Sequence, residues 1–420
     1  MPLGLYISVP FCRTKCTYCN FASDVFSRAA FQRYVDRVCS DIEHAAGTAE
    51  QMGGHFERAV DTIYLGGGTP PVLDISHLER LFVTISQNFE VAPGTEITVE
   101  CAPGTLTPAV VESFASIGVN RVSLGIQSFV DQEARAVGRL HTRAVVLDDI
   151  ARLRDVGISN INVDLIAGLP YQTAESWEFS LQEAIACIVP HVSVYMLEVD
   201  EDSRLGRELV AGGTKYHAHF VPDDDSTADL YVTACKRLEA AGIKQYEISN
   251  FAREGFESKH NLKYWTRQPY LGFGVDAHSM LLVSTEGSRE AAEWESPARQ
   301  CRETKNENGS PGGTSLAAVR FATPDSLEPY LEGKRAQPNL VWQRCALEER
   351  FFLGLRLNCG IDLERIADEF GEQAVAALSS TIDELIENKL LERYGNSIRL
   401  TLRGRLLSNE VFEKFISVAA

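Results

Sequence analysis

Between residues 5 and 200 the chain repeats one pattern six times, a short run rich in Val, Ile and Leu followed by a longer segment with apolar residues three and four apart. The short runs are 5–9, 62–65, 96–101, 121–126, 160–166 and 191–197, and the longer segments include 31–45, 78–89, 108–117, 145–156 and 176–188. Spacings of three and four mark one face of a helix, whereas a short unbroken apolar run marks a strand covered on both faces. Gly118 and Gly157 stand just past two of the helices, where a glycine ends a helix. Consecutive βα units require a parallel sheet with right-handed crossovers. Six of them predict an α/β fold, a partial (β/α)6 barrel of the TIM type over residues 1–200, with a doubly wound open sheet as the alternative. In either fold, ligands sit at the carboxyl ends of the strands.

The remaining chain is less regular. Residues 201–338 read as an extension of the barrel, with a helix at 228–241, strands at 245–249 and 278–283, and a polar stretch at 286–315 that reads as a mobile surface insertion. From 339 to 420 short helices (347–357, 362–370, 374–388) precede two strands (390–393, 398–402) joined by Tyr394-Gly395-Asn396-Ser397, a small α+β, winged-helix-like domain. Such folds often bind DNA, but from Val341 onward 13 acids face 10 bases, and the whole chain carries a net charge of −18. That is the wrong sign for phosphate contacts, so no nucleic-acid partner is expected. The domain is expected to cover the barrel mouth or to meet a client protein. No run of 18 apolar residues is present to span a membrane, and the opening segment lacks the basic start of a secretory signal, so a soluble, cytoplasmic protein is expected.

Cys12-Arg-Thr-Lys-Cys16-Thr-Tyr-Cys19 follows directly on the first strand, while the other seven of the ten cysteines are scattered. Clustered thiols in a chain without an export signal suggest a metal or redox site. Three thiolates in one short loop can hold three irons of a 4Fe–4S cluster, leaving the fourth open to an exogenous ligand. A structural zinc site would want a second Cys-x2-Cys or Cys-x2-His pair, which does not occur. Further polar residues recur near the ends of successive strands: Leu65-Gly66-Gly67-Gly68-Thr69-Pro70 after the second, Glu100 after the third, Gln127 after the fourth with Arg139 beyond it, and Asp164 in the fifth. Bare glycine backbone lets a ligand approach closely, although each of these residues also has a purely structural reading as a turn or a satisfied hydrogen bond.

The Cys-x3-Cys-x2-Cys loop after the first barrel strand resembles that of the radical S-adenosylmethionine (SAM) superfamily. The resemblance implies that Cys12, Cys16 and Cys19 ligate a 4Fe–4S cluster and that SAM chelates its open iron. Gly4-Leu-Tyr-Ile-Ser-Val-Pro-Phe-Cys12, Tyr64-Leu-Gly-Gly-Gly-Thr-Pro70, Val122-Ser-Leu-Gly-Ile-Gln-Ser-Phe129 and Asn162-Val-Asp-Leu-Ile-Ala-Gly-Leu-Pro170 narrow it to the oxygen-independent coproporphyrinogen III dehydrogenase-like group. Carried over residue by residue, that group's SAM contacts fall on Tyr6, Tyr18, Gly67, Gly68, Thr69, Glu100, Gln127, Arg139 and Asp164, with His278 at a further adenosine-side backbone position.

Two departures separate the chain from the dehydrogenases. Phe21 stands where they carry a fourth cysteine, and only 11 residues precede Cys12 where they have an N-terminal extension. Both point to the haem-chaperone (HemW-type) branch, and His260-Asn-Leu-Lys-Tyr-Trp265 resembles that branch's His-Asn-x-x-Tyr-Trp motif. An imidazole can ligate haem iron, which makes His260 a candidate haem contact; capping by His260 and Asn261 with Tyr264 and Trp265 as core packing is the other reading. The resemblance thus implies a protein that binds a 4Fe–4S cluster, SAM and haem and passes haem to acceptor proteins, in transient contact with membrane-bound clients where those are the acceptors. The alternative is an oxygen-independent coproporphyrinogen III dehydrogenase.

Overall fold

The computed structural model describes residues 1–283, 316–334 and 338–416; the polar insertion expected at 286–315 lies outside them. Six parallel strands follow in order, β1 (Leu3–Val9), β2 (Ala59–Gly67), β3 (Glu90–Cys101), β4 (Arg121–Gln127), β5 (Asn160–Ala167) and β6 (His191–Met196). Each connection is helical, the long helices being Ala29–Glu43, Ile75–Asn88, Pro108–Ser116, Arg143–Asp155 and Ala174–Ala186. The sheet does not close: β1 pairs on its free side with β9 (Tyr270–Gly274), and β6 pairs with β8 (Asn250–Ala252), which carries β7 (Lys244–Gln245). Antiparallel strands β10 (His278–Leu282), β11 (Leu316–Ala322) and β12 (Asn339–Trp342) extend the sheet beyond β9. The strand predicted at 245–249 is instead the turn between β7 and β8.

The six strands are not apolar on both faces, as their Val, Ile and Leu content suggested. On β1, Leu3, Leu5, Ile7 and Val9 are fully buried against the surrounding helices, while the alternate residues Gly4, Tyr6 and Ser8 turn inward. The same alternation puts Thr62 and Tyr64 of β2, Glu96, Thr98 and Glu100 of β3, Arg121 and Ser123 of β4, and Asn162 and Asp164 of β5 in the lumen. The hydrophobic core therefore lies outside the barrel wall, and the lumen is polar. Period-two alternation is the signature of such a wall, but the branched residues on the outer face mask it.

The lumen's floor is the helix Lys259–Trp265, which the sequence pattern did not predict. Its N-terminus is capped by Glu96, whose carboxylate accepts from the Lys259 and His260 amides at 3.1 and 3.0 Å. Lys263, 2% exposed, pairs with Asp61 at 2.7 Å and donates to the Pro2 carbonyl.

The C-terminal region has its own core of Phe351, Leu355, Ile382, Leu385, Ile398, Val411 and Phe412. Its small sheet joins β13 (Ile361–Asp362) and β14 (Leu391–Tyr394) to β15 (Ser397–Leu400), giving the winged pattern. The helix predicted at 374–388 is broken into Glu372–Ala377 and Ser379–Glu387. Where the sequence suggested a cover for the barrel mouth, the contacts run instead to both edges of the open barrel. Ile248 N donates to Arg356 O at 3.1 Å and Asn358 N to Tyr246 O at 2.9 Å on the β7–β8 side. On the other side Glu349 pairs with Arg267 and with Arg320 of β11, at 2.7 and 2.9 Å. The domain seals the seam that the sheet leaves.

Candidate functional site

The cysteine loop leaves β1 at the carboxyl end of the barrel and is zipped at its base. Cys12 N donates to Asp24 O at 3.0 Å and Asp24 N to Pro10 O at 2.9 Å. Phe11, fully buried among Phe26, Phe31 and Tyr34, anchors that base from the core side. Further along, Thr17 N donates to Val137 O (3.2 Å), and Leu205 N, at the start of the helix Arg204–Ala211, donates to Thr17 O (2.9 Å). The loop is thus held by segments following β4 and β6. Cys12, Cys16 and Cys19 are all partly accessible. Burial pushes the Cys12 and Cys19 thiols up, so metal binding there would release protons. Among the described residues no three His, Cys, Asp or Glu groups converge on one ion position. A mononuclear site requires such convergence, whereas a 4Fe–4S cluster takes each thiolate on a different iron.

The glycine run after β2 is built against this loop. Gly68 N donates to Val9 O at 2.7 Å and Thr69 N to Phe11 O at 2.8 Å, and the Thr69 hydroxyl lies 3.8 Å from Cys12 Sγ. A Cβ on Gly68 would stand 2.7 Å from Phe11 O and 2.8 Å from Val9 O, both backbone atoms. Gly68→Ala is therefore expected to cost about 1–3 kcal/mol of stability through forced backbone movement, read as a lower denaturant midpoint with an unchanged slope.

Glu100 faces this turn. Its carboxylate accepts from Tyr64 OH at 2.7 Å and from Gly67 N at 3.2 Å. Barrel atoms surround it, and it is half-buried. That burial, reinforced by Asp164, pushes its pKa up to about 7. Asp164 accepts from Ser123 (3.1 Å) and Asn162 (2.7 Å), and burial likewise raises its pKa. Gln127 closes β4 with φ at +66°, a conformation that costs a non-glycine residue about 1–3 kcal/mol. Its Oε1 is buried without a partner, and so is Nε of Arg139, whose Nη2 reaches Tyr18 OH at 3.4 Å. A strained backbone holding an unpartnered acceptor beside an unpartnered donor fits a polar ligand at the mouth.

The structure thus brings Cys12, Cys16, Cys19, Tyr18, Gly67, Gly68, Thr69, Glu100, Gln127, Arg139 and Asp164 to one end of the barrel. Tyr6 sits lower in the lumen, its ring 6.1 Å from that of Tyr64. His278 opens β10 with an exposed side chain.

His260 does not join them. Only 1% exposed, it lies on the barrel floor, with Nδ1 2.9 Å from Thr62 Oγ1, Nε2 2.8 Å from Tyr264 OH, and its ring stacked on Tyr64. It packs against Gly4, five residues and so about 16 Å of strand below Val9, the β1 residue aligned with the glycine run. Burial lowers its pKa to about 3, so the imidazole is neutral. Haem ligation in this conformation would require one ring nitrogen to give up its partner, Thr62 or Tyr264, and the structure shows the motif in its packing role. Tyr264 packs edge-on to Tyr270, and Trp265 lies under the Arg356 guanidinium at 4.4 Å. The sequence reading missed Arg121, 2% exposed inside the barrel; a charge opening an otherwise apolar strand was the available signal.

A model of the radical SAM superfamily matches residues 6–184, and one of the HemN C-terminal domain matches residues 343–407. Among curated relatives, heme chaperone HemW of Lactococcus lactis subsp. lactis is 31% identical over 99% of this chain and 97% of its own length. HemW of Bacillus subtilis is 31% identical over 98% of each. The solved structure of coproporphyrinogen III oxidase (HemN) from Escherichia coli, a radical SAM enzyme, covers 99% of this chain and 90% of its own, with a TM-score of 0.78 at 21% identity. At that identity the likeness establishes the fold.

Proposed function

The chain belongs to the HemW heme-chaperone family within the radical SAM superfamily, and from that premise we propose that it is a haem carrier that binds a 4Fe–4S cluster and SAM and delivers haem to acceptor proteins. Cys12, Cys16 and Cys19 would hold the cluster, which would supply a binding position for SAM and an electron. Glu100 and Asp164 offer carboxylates to the cationic ligand, Gln127 and Arg139 offer their unpartnered polar atoms, and the backbone of Gly67 and Gly68 lets it approach. The observation that carries the reading is the near-full-length identity to HemW proteins. Phe21 supports it: the fourth-cysteine position of the dehydrogenases holds a phenyl ring, 63% exposed. No helix of the described residues is long and apolar enough to cross a membrane, so contact with a membrane-bound acceptor would be peripheral.

An anaerobic haem titration of the cluster-reconstituted protein, followed by Soret absorbance, tests this. Saturation near one haem per chain is expected, with transfer to an apo-acceptor and no turnover of coproporphyrinogen III. Absent haem binding, or sustained porphyrinogen decarboxylation, would overturn it. His260→Ala is expected to keep the haem stoichiometry and to lose about 1–3 kcal/mol of stability, because Thr62 and Tyr264 lose a buried partner. Loss of the Soret band in that variant would move the haem to the barrel floor.

A further inference from the structure

Arg121, 2% exposed in the lumen, is a buried cation that no carboxylate pairs within ion-pair distance. It opens β4, aligned with Thr98 of β3 and Asn160 of β5, and its Nε is buried without a hydrogen-bond partner. Thr98 Oγ1 and Asn160 Oδ1, its two register neighbours, are also buried without partners. Burying an unpaired guanidinium costs several kcal/mol, so the fold must gain from the charge elsewhere. The two strands flanking β4 carry Glu100 and Asp164 one and two turns of the pleat above this row, on the same inner face. Burial disfavours both carboxylates, Asp164 further disfavours that of Glu100, and the charge of Arg121 favours both.

We propose that Arg121 is the counter-charge shared by Glu100 and Asp164, a positioning residue that keeps both as carboxylates facing a cationic ligand at the barrel mouth. Because its guanidinium is bonded to neither acid, both remain free to accept from the ligand, which a direct ion pair would prevent. The unpartnered atoms in its row are of the kind that ordered internal water satisfies.

Burial holds Tyr6, Tyr64 and Tyr246 protonated well above neutrality, and holds His191 and His260 neutral well below it. Arg139 keeps its charge. Glu96 is committed to the floor helix and Lys263 to Asp61, and Glu247 to Asn250 beside Arg356. Glu100, pushed up to about 7, is a lumen group whose charge changes across neutral pH.

The inference rests on the SAM reading proposed above. The test is the equilibrium SAM affinity of cluster-reconstituted protein from pH 6 to 9, for wild type, Arg121→Gln and Arg121→Lys. A carboxylate whose folded pKa is raised loses its charge as pH falls, so wild-type affinity should fall through about pH 7. Without the guanidinium the midpoint moves to higher pH: Arg121→Gln should bind about tenfold more weakly at pH 7, equivalent to about 1.4 kcal/mol, and converge on wild type towards pH 9. Arg121→Lys should restore the wild-type midpoint. Titration of SAM itself is common to all three and cancels. Parallel curves, or a Lys curve matching the Gln curve, overturn the assignment while leaving SAM binding intact. Wild-type protein that binds no SAM at any pH sinks the SAM reading and this inference with it. Should Arg121→Gln not fold, the midpoint of Arg121→Lys decides: unmoved supports the role, displaced overturns it.

Discussion

Cys16→Ala is expected to yield a folded protein that cannot retain a 4Fe–4S cluster. The loop's path is fixed by backbone bonds at Cys12, Thr17 and Asp24 and by the approach of Gly138 to the Cys16 Cα, where a Cβ would stand at 3.7 Å. The thiol itself supports none of this, so its removal leaves the scaffold in place. Changes to residues that merely support metal ligands cost about 10–100-fold in metal affinity, and losing one of three protein ligands exceeds that. After anaerobic reconstitution, iron and acid-labile sulfide should fall to background, and the change that SAM makes to the paramagnetic signal of the reduced cluster should vanish. Cys235→Ala, at a half-buried cysteine outside the loop, is the matched control and should keep full iron. Full iron in Cys16→Ala would mean that the cluster is held elsewhere.

Glu349→Ala is the second large effect, and it falls on the seam rather than the site. Glu349 is 6% exposed and answers two cations, Arg267 beneath the barrel extension and Arg320 on β11. Truncating it leaves the two guanidinium groups facing each other, with Arg267 Nη2 and Arg320 Nε already lacking partners. Removing one member of a buried ion pair typically costs about 3–5 kcal/mol, because the remaining charge stays uncompensated. The variant should unfold at a markedly lower denaturant concentration, and limited proteolysis should cut first between the barrel and the C-terminal region. Glu349→Gln, whose single amide oxygen can keep one of the two contacts, should lose less. Equal stability of Glu349→Ala and wild type would show that these two ion pairs do not hold the seam.

How much of this was legible beforehand differs from place to place for physical reasons. The six parallel strands could be found to within six residues at every end because their outer faces are branched and apolar, and the helices because one face packs on those strands. The cysteine loop was legible because its ligands are contiguous in sequence. Glu100, Gln127, Arg139 and Asp164 were placed by resemblance, and the structure adds what no pattern could show, the +66° φ of Gln127 and its unpartnered oxygen. The floor helix and strands β9, β11 and β12 escaped detection because their partners lie far away in sequence, with Tyr270–Gly274 stabilised by residues 4–8. The buried surroundings of His260 were hidden for a related reason. A histidine's chemistry depends on what its nitrogens touch, and Thr62 is 198 residues distant.

The pairing of β1 with β9 also fixes an order of events at the ribosome. The three thiols emerge within the first 19 residues, yet the strand that carries them gains its second neighbour only when Tyr270–Gly274 has been made. At about 5–20 residues per second, that delay is roughly 13 to 50 s. Until then that strand keeps at least one open edge, and the scaffold under the cysteine loop is complete only after the distant strand has been made.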